Sequence, residues 1–126
     1  MSKSVLCEEK DNICLITLNE EDTRNAISPE IIKELVSILE EIDNNKNISC
    51  AILTGAGKSF SSGGNLHEIN EMTENNNMSL RDIENWYRNG IQRIPMTFNK
   101  IDVPVIAAVN GLSLIHISEP TRQLAI

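Results

Sequence analysis

The sequence predicts an α/β protein with parallel strands joined by helical crossovers, and three observations carry that expectation. Val5–Lys10 and Ile13–Leu18 flank a two-residue Asp11-Asn12 turn and read as a β-hairpin. A helical apolar stripe begins at Ile31. Two further apolar runs, Ile48–Thr54 and Val105–Val109, have the near-continuous character of strands buried on both faces. The resulting order, ββαβααβ, calls for parallel pairing with helices packed on a sheet.

Each element has a local reason. The second strand ends in a polar loop, Asn19–Arg24. Ser28-Pro29-Glu30 then supplies a cap, a proline at the first helical position and an acidic first turn. Ile31, Leu35, Ile38 and Ile42 follow at helical spacing, with Ile32, Val36 and Leu39 widening the stripe, and Asn44–Asn47 ends it. Leu66, Ile69 and Met72 suggest a short helix, and the asparagine-rich stretch 73–78 is expected to be mobile. A longer helix is expected from Ser79 through Asn99, with Ile83, Trp86, Tyr87 and Ile91 on its apolar face and a kink near Pro95. Val103-Pro104 opens the last strand, which ends at Asn110-Gly111.

At 126 residues the chain suits one domain with a real core. Hydrophobic residues make up 40% but aromatics only 3%, so that core must be built from Ile, Leu, Val and Ala. The net charge of −7 argues against nucleic acid or an anionic membrane as the main partner, although a phosphorylated ligand needs only a few local cations. Cys7, Cys14 and Cys50 are odd in number, lack metal-ligand spacing and lie in apolar strand-like runs. They read as small buried hydrophobes in a reducing compartment, with the cytoplasm as the default and an organelle matrix as the alternative. No signal peptide and no membrane-spanning stretch are expected.

The segment Ala51–Asn65 (AILTGAGKSFSSGGN) is the most informative. A strand enters a Gly55-Ala56-Gly57 turn, and a second loop with paired glycines, Gly63-Gly64, leads into a helical pattern. Adjacent glycines before a helix leave main-chain N–H groups uncovered, so that an anionic oxygen can approach without meeting a Cβ. Such donors can hold a developing oxyanion. The structural alternative is a tight strand-to-helix connection with no ligand. Gly55-Ala56-Gly57-Lys58-Ser59 also invites comparison with a nucleotide-binding P-loop, but that motif needs a glycine where Ile52 stands.

His67 reads either as a surface residue at a helix start or as a contact to the polar end of a ligand. Arg24 is either solvated or placed to meet a phosphate. Glu68, Glu71 and Glu74 form a solvated helix face. No Ser-His-Asp set, metal cluster or paired catalytic carboxylates can be assembled from residues 1–111.

Taken in series, Asn19–Ile27 (NEEDTRNAI), Ala51–Leu66 (AILTGAGKSFSSGGNL) and Val103–Gly111 (VPVIAAVNG) resemble the crotonase superfamily, the enoyl-CoA hydratase/isomerase family. The likeness covers essentially all of residues 5–111. It implies a crotonase-like (ClpP/crotonase) spiral of ββα units, incomplete in a chain of this length, and a complete member that assembles as a homotrimer or hexamer. It also implies acyl-CoA thioester substrates with no separate cofactor or metal, and stabilisation of a thioester enolate by two backbone N–H groups. By position, Gly64 matches the first donor. Gly64, Asn65, Leu66 and His67 match the residues that line the acyl-CoA pocket, while Arg24 and Ala26 match those beside the CoA nucleotide end. A lysine or arginine is common in the family where His67 stands.

The second donor and the catalytic glutamates of hydratases would follow Asn110-Gly111. Here Leu112–Arg122 (LSLIHISEPTR) matches, residue for residue, one reading frame of a transposon-based sequencing adapter. The expected organisation is therefore an N-terminal enoyl-CoA hydratase/isomerase portion at 1–111 and a non-native tail at 112–126. Glu119 falls eight residues past Gly111 but in a segment without glycine, and it receives no catalytic role. On this reading the longer parent is an enzyme that hydrates a 2-enoyl-CoA, and the 126-residue chain is inactive and poorly soluble through exposed strand edges. The alternatives are another reaction of the family (isomerase, hydrolase, dehalogenase), a non-catalytic acyl-CoA-binding member, and, most remotely, a P-loop nucleotide binder.

Overall fold

A computed structural model describes residues 3–63 and 79–113. The hairpin forms with the expected bounds, β1 (Val5–Lys10) antiparallel to β2 (Ile13–Leu18). Asp11 and Asn12 both take positive φ, 53° and 69°, the backbone twist that two-residue hairpins favour.

Helix α1 (Pro29–Asp43) starts where the sequence puts it. The Ser28 hydroxyl accepts from the Ile31 N–H at 3.2 Å, and Pro29 occupies the first position, where its missing N–H has no intrahelical partner to lose. Its buried stripe (Ile31, Leu35, Leu39, Ile42) meets Cys14, Ile16 and Leu18 of β2 and Ala51 and Leu53 of the next strand.

That strand, β3 (Cys50–Gly55), pairs parallel with β2, and α1 is the crossover between them. Strand β5 (Val105–Ala107) pairs parallel with β3, giving the sheet order β1-β2-β3-β5. The expectation that β3 is buried on both faces needs correction. Burial alternates along it: Ala51, Leu53 and Gly55 are buried while Cys50, Ile52 and Thr54 are only half-buried. Helix α1 covers one face of the sheet, and Ile106, beside Ile52 on the other, is 49% exposed. Cys7 departs similarly, being exposed, whereas Cys14 is buried and Cys50 half-buried.

Two short strands add a second sheet. Strand β4 (Ser59–Ser61), which the sequence reading did not anticipate, pairs parallel with β6 (Leu112–Ser113). The rest of the adapter-like segment lies outside the described residues, as do the short helix expected around Leu66–Met72 and the asparagine-rich stretch after it.

The single long helix expected over 79–99 is two helices, α2 (Leu80–Asn89) and α3 (Arg93–Lys100). The break falls at Gly90, not Pro95. Gly90 leaves helical geometry with φ −114° and ψ −110°, and both its N–H and that of Gln92 turn back to the Tyr87 carbonyl. Pro95 sits in the first turn of α3, where a ring without an N–H is tolerated. The Ser79 hydroxyl and Asp82 carboxylate form a reciprocal capping box at the start of α2. Helix α3 packs on α1, and the Asp43 carboxylate at the end of α1 accepts from the Asp102 and Val103 N–H groups, aiming the chain into β5.

Candidate functional site

All three motifs that drew attention in the sequence follow parallel strands at the same end. Asn19–Ile27 leaves β2 after Leu18, the glycine turn leaves β3 at Gly55, and Ala108–Gly111 leaves β5 after Ala107. The carboxyl ends of parallel strands are the common position for ligands in α/β sheets.

The loop after β2 is wound tightly. A 3₁₀ turn at Glu21–Thr23 ends at Arg24 and Asn25, both left-handed with φ 56° and 55°. Asparagine tolerates that region better than most residues. Asn25 is fully buried and all of its polar side-chain atoms are used. Its Oδ1 accepts from the Glu20 N–H at 2.7 Å, and its Nδ2 donates to the Ala56 and Ser59 carbonyls at 3.1 and 2.9 Å. Glu20 closes the base of the loop, its carboxylate accepting from the Ser4 and Ser28 hydroxyls.

The turn after β3 is shaped by close approach. A Cβ on Gly55 would lie 2.4 Å from the Phe60 carbonyl oxygen, so only glycine lets β4 fold back against β3. From the other side Asn110 holds the same turn. Its Oδ1 accepts from the Gly55 N–H at 3.1 Å, and its Nδ2 donates to the Gly55 and Gly57 carbonyls at 2.7 and 3.0 Å. Because Ser59–Ser61 is a strand, no helix begins at Lys58-Ser59, which removes the anion-binding helix N-terminus that a P-loop requires.

Beyond β4 the chain is laced to the first loop. The Ser61 hydroxyl donates to the Asn25 carbonyl at 2.8 Å, the Ser62 N–H to the Arg24 carbonyl at 2.9 Å, and the Ile27 N–H to the Gly63 carbonyl at 2.7 Å. Gly63 itself turns with φ 96°.

Of the residues singled out in the sequence, Arg24 is exposed and Ala26 is buried at 7%. Both lie beside Ser61–Gly63. Gly64, Asn65, Leu66 and His67 lie outside the described residues. The sequence reading missed Asn25, Ser61 and Asn110 as shaping residues. For Asn25 a signal existed: a lone asparagine between a 3₁₀ turn and an apolar pair often marks a left-handed position. Among the described residues there is no cluster of His, Cys, Asp and Glu suited to a metal ion. Among the described residues, the one strongly shifted titratable group, Cys14, lies at the opposite end of β2. Burial, followed by a hydrogen bond with the Cys7 thiol, pushes it up to about 12.

Comparison with known proteins agrees with this architecture. The sequence pattern of the enoyl-CoA hydratase/isomerase family matches residues 8–114. YngF of Bacillus subtilis (strain 168), which bears the same family description, is 37% identical over 116 residues, covering 90% of this chain and 42% of the relative. A short-chain-enoyl-CoA hydratase of Clostridium acetobutylicum is 33% identical over 112 residues, 88% of this chain and 40% of its own. The crystal structure of an enoyl-CoA hydratase/isomerase from Xanthobacter autotrophicus Py2 superposes with a TM-score of 0.76 at 26% identity, over 88% of this chain and 40% of that one. The chain thus spans about two fifths of the length of these relatives. With the sheet, its loops and these likenesses together, the chain belongs to the enoyl-CoA hydratase/isomerase family, within the crotonase superfamily.

Proposed function

We propose that this chain is part of an acyl-CoA enzyme that stabilises a thioester enolate, with hydration of a 2-enoyl-CoA as its reaction. The observation that carries the reading is the lacing of Arg24–Ile27, in the loop after β2, to Ser61–Gly63, at the end of β4. One extended ligand can then meet Arg24 and Ala26 with its nucleotide end and the loop entering Gly64 with its thioester.

In hydration, water oxygen bonds to C3 of the enoyl group, charge moves onto the thioester oxygen, and a proton is delivered to C2. A backbone N–H at Gly64 would meet that oxygen as its charge grows. Such a preorganised donor is worth about 3–4 kcal/mol of barrier. Asn65, Leu66 and His67 would line the acyl pocket. The reaction also needs a second donor and an acid/base pair, which we assign to a natural continuation past Gly111, residues 112–126 being non-native. The 126-residue chain is then inactive, and the complete protein forms a trimer or hexamer. Its three free thiols suit a reducing compartment, the cytoplasm or an organelle matrix.

The test has two arms. Sequencing across the locus is expected to show a different continuation after Gly111, and the complete protein is expected to hydrate crotonyl-CoA while the 126-residue chain does not. Crystals of the complete protein soaked with a non-reactive acyl-CoA should place the thioester carbonyl against residue 64; a carbonyl bound elsewhere overturns the assignment.

A further inference from the structure

The loop after β2 and the turn after β3 are not independent. Asn25 sits between them with no exposed surface, and its amide hydrogen-bonds both the loop after β2 and the turn after β3. Its main-chain carbonyl is taken by Ser61, whose hydroxyl also accepts from the Gly63 N–H at 3.1 Å.

We propose that Asn25 is a positioning residue: its buried amide and carbonyl lock Arg24–Ala26 to Ser59–Gly63, so that the two ends of one ligand site move as a single body. The inference deepens the function proposed above and rests on it for the identity of the ligand.

Three features favour coupling over simple loop stability. First, the bonds run between loops from sequence positions more than thirty apart, so no local turn requires them. Second, Asn25 holds a left-handed backbone at φ 55°, a conformation that costs free energy unless the surroundings fix it. Third, the direct bonds from Ser62 to Arg24 and from Ile27 to Gly63 flank the Asn25–Ser61 contact on either side. A shift of one loop therefore strains the other.

The chemistry sets the expected size of the effect. Removing one partner of a buried hydrogen bond leaves the other unsatisfied, enough for about a tenfold change in an equilibrium constant. Transmission is the distinctive part. A defect made on the Ser61 side should weaken a ligand that reaches only the Arg24 side.

The experiment uses the complete protein carrying Asn25→Ser or Ser61→Ala, with CoA itself as the probe of the nucleotide end and acetoacetyl-CoA as the probe of the whole site. Dissociation constants come from calorimetric titration, and hydrogen exchange at the Ser62 amide is followed by NMR. The expected result is a rise of about tenfold in both constants for Ser61→Ala, with faster exchange at Ser62 in both variants. Should Asn25→Ser fail to fold, Ser61→Ala decides alone. A lower melting temperature with CoA affinity within about twofold of the unaltered protein overturns the proposal, since a merely stabilising contact would do just that. If the unaltered protein binds neither probe, the functional reading fails. Exchange at Ser62 then judges the lock by itself, unchanged rates in Ser61→Ala refuting it.

Discussion

Thr54 and Asn110 meet at the carboxyl ends of β3 and β5, where the threonine hydroxyl lies 3.1 Å from Asn110 Oδ1 and 2.9 Å from the Ala108 carbonyl. This contact continues the parallel pairing past the last ladder bond, from the Ala108 N–H to the Leu53 carbonyl. It also orients the Asn110 amide so that its Nδ2 faces Gly55 and Gly57. The strand ends and the glycine turn are thereby one hydrogen-bonded unit.

Replacing Asn110 by alanine should therefore loosen the turn rather than the sheet. The Gly55 and Gly57 carbonyls and the Gly55 N–H lose their side-chain partner, at a cost of about 1–3 kcal/mol. Urea unfolding checks the loss. Thr54→Val, which removes only the hydroxyl, should cost less.

Gly55→Ala should be more severe than the small change in strand propensity suggests. The added Cβ meets backbone, the Phe60 carbonyl oxygen at 2.4 Å, and backbone cannot rotate away as a side chain would. We expect a loss of about 2 kcal/mol or more, or displacement of β4. Proteolysis within residues 56–62 would report that displacement.

The core prediction contrasts two leucines on helices. Leu39 is fully buried in the cluster between α1 and the sheet, and Leu39→Ala should cost about 2–5 kcal/mol. Leu80, 86% exposed at the start of α2, should change stability by less than about 0.5 kcal/mol when replaced by alanine. Both are read from urea midpoints.

The thiols give a prediction with a definite pH direction. Cys14 keeps its proton up to about 12 in the folded chain, against an ordinary value of 9.0. Between those values the unfolded chain has released a proton that the folded chain still holds. Stability from this group is thus complete below pH 9 and is lost as pH rises toward 12, by at most about 1.4 kcal/mol per pH unit. Comparing urea midpoints at pH 8 and pH 10 for the parent and Cys14→Val isolates the slope. At neutral pH, iodoacetamide should label exposed Cys7 well before Cys14, as read by mass spectrometry.

The parts legible in the sequence were those with local physics. The Asp11-Asn12 turn, the Ser28-Pro29 cap and the period of Ile31, Leu35 and Ile42 each fix an element from neighbours alone, and those bounds agree with the structure. Sequence gave less where contacts are distant. Gly90, rather than Pro95, breaks the long helical stretch because a proline in a first turn costs nothing while a glycine near a helix end readily leaves helical geometry. Strand β4 is only three residues long and carries two serines, so no period marks it. Cys7 looked apolar in context, yet it lies on the edge strand, where only one neighbour covers it. Of the candidate site, Arg24 and Ala26 were named from motif position, but the contacts of the asparagines that set their surroundings become visible only once loops from three strands are brought together.

The sheet's polarity has a practical corollary. The loops that follow β2, β3 and β5 sit on one rim, which leaves the other rim, where the Ser49 N–H meets the Asn12 carbonyl and the Ala51 N–H meets the Pro104 carbonyl, remote from them. A fluorophore or surface tether attached at Asp11 or Asn47 can therefore report on the molecule without crowding those loops.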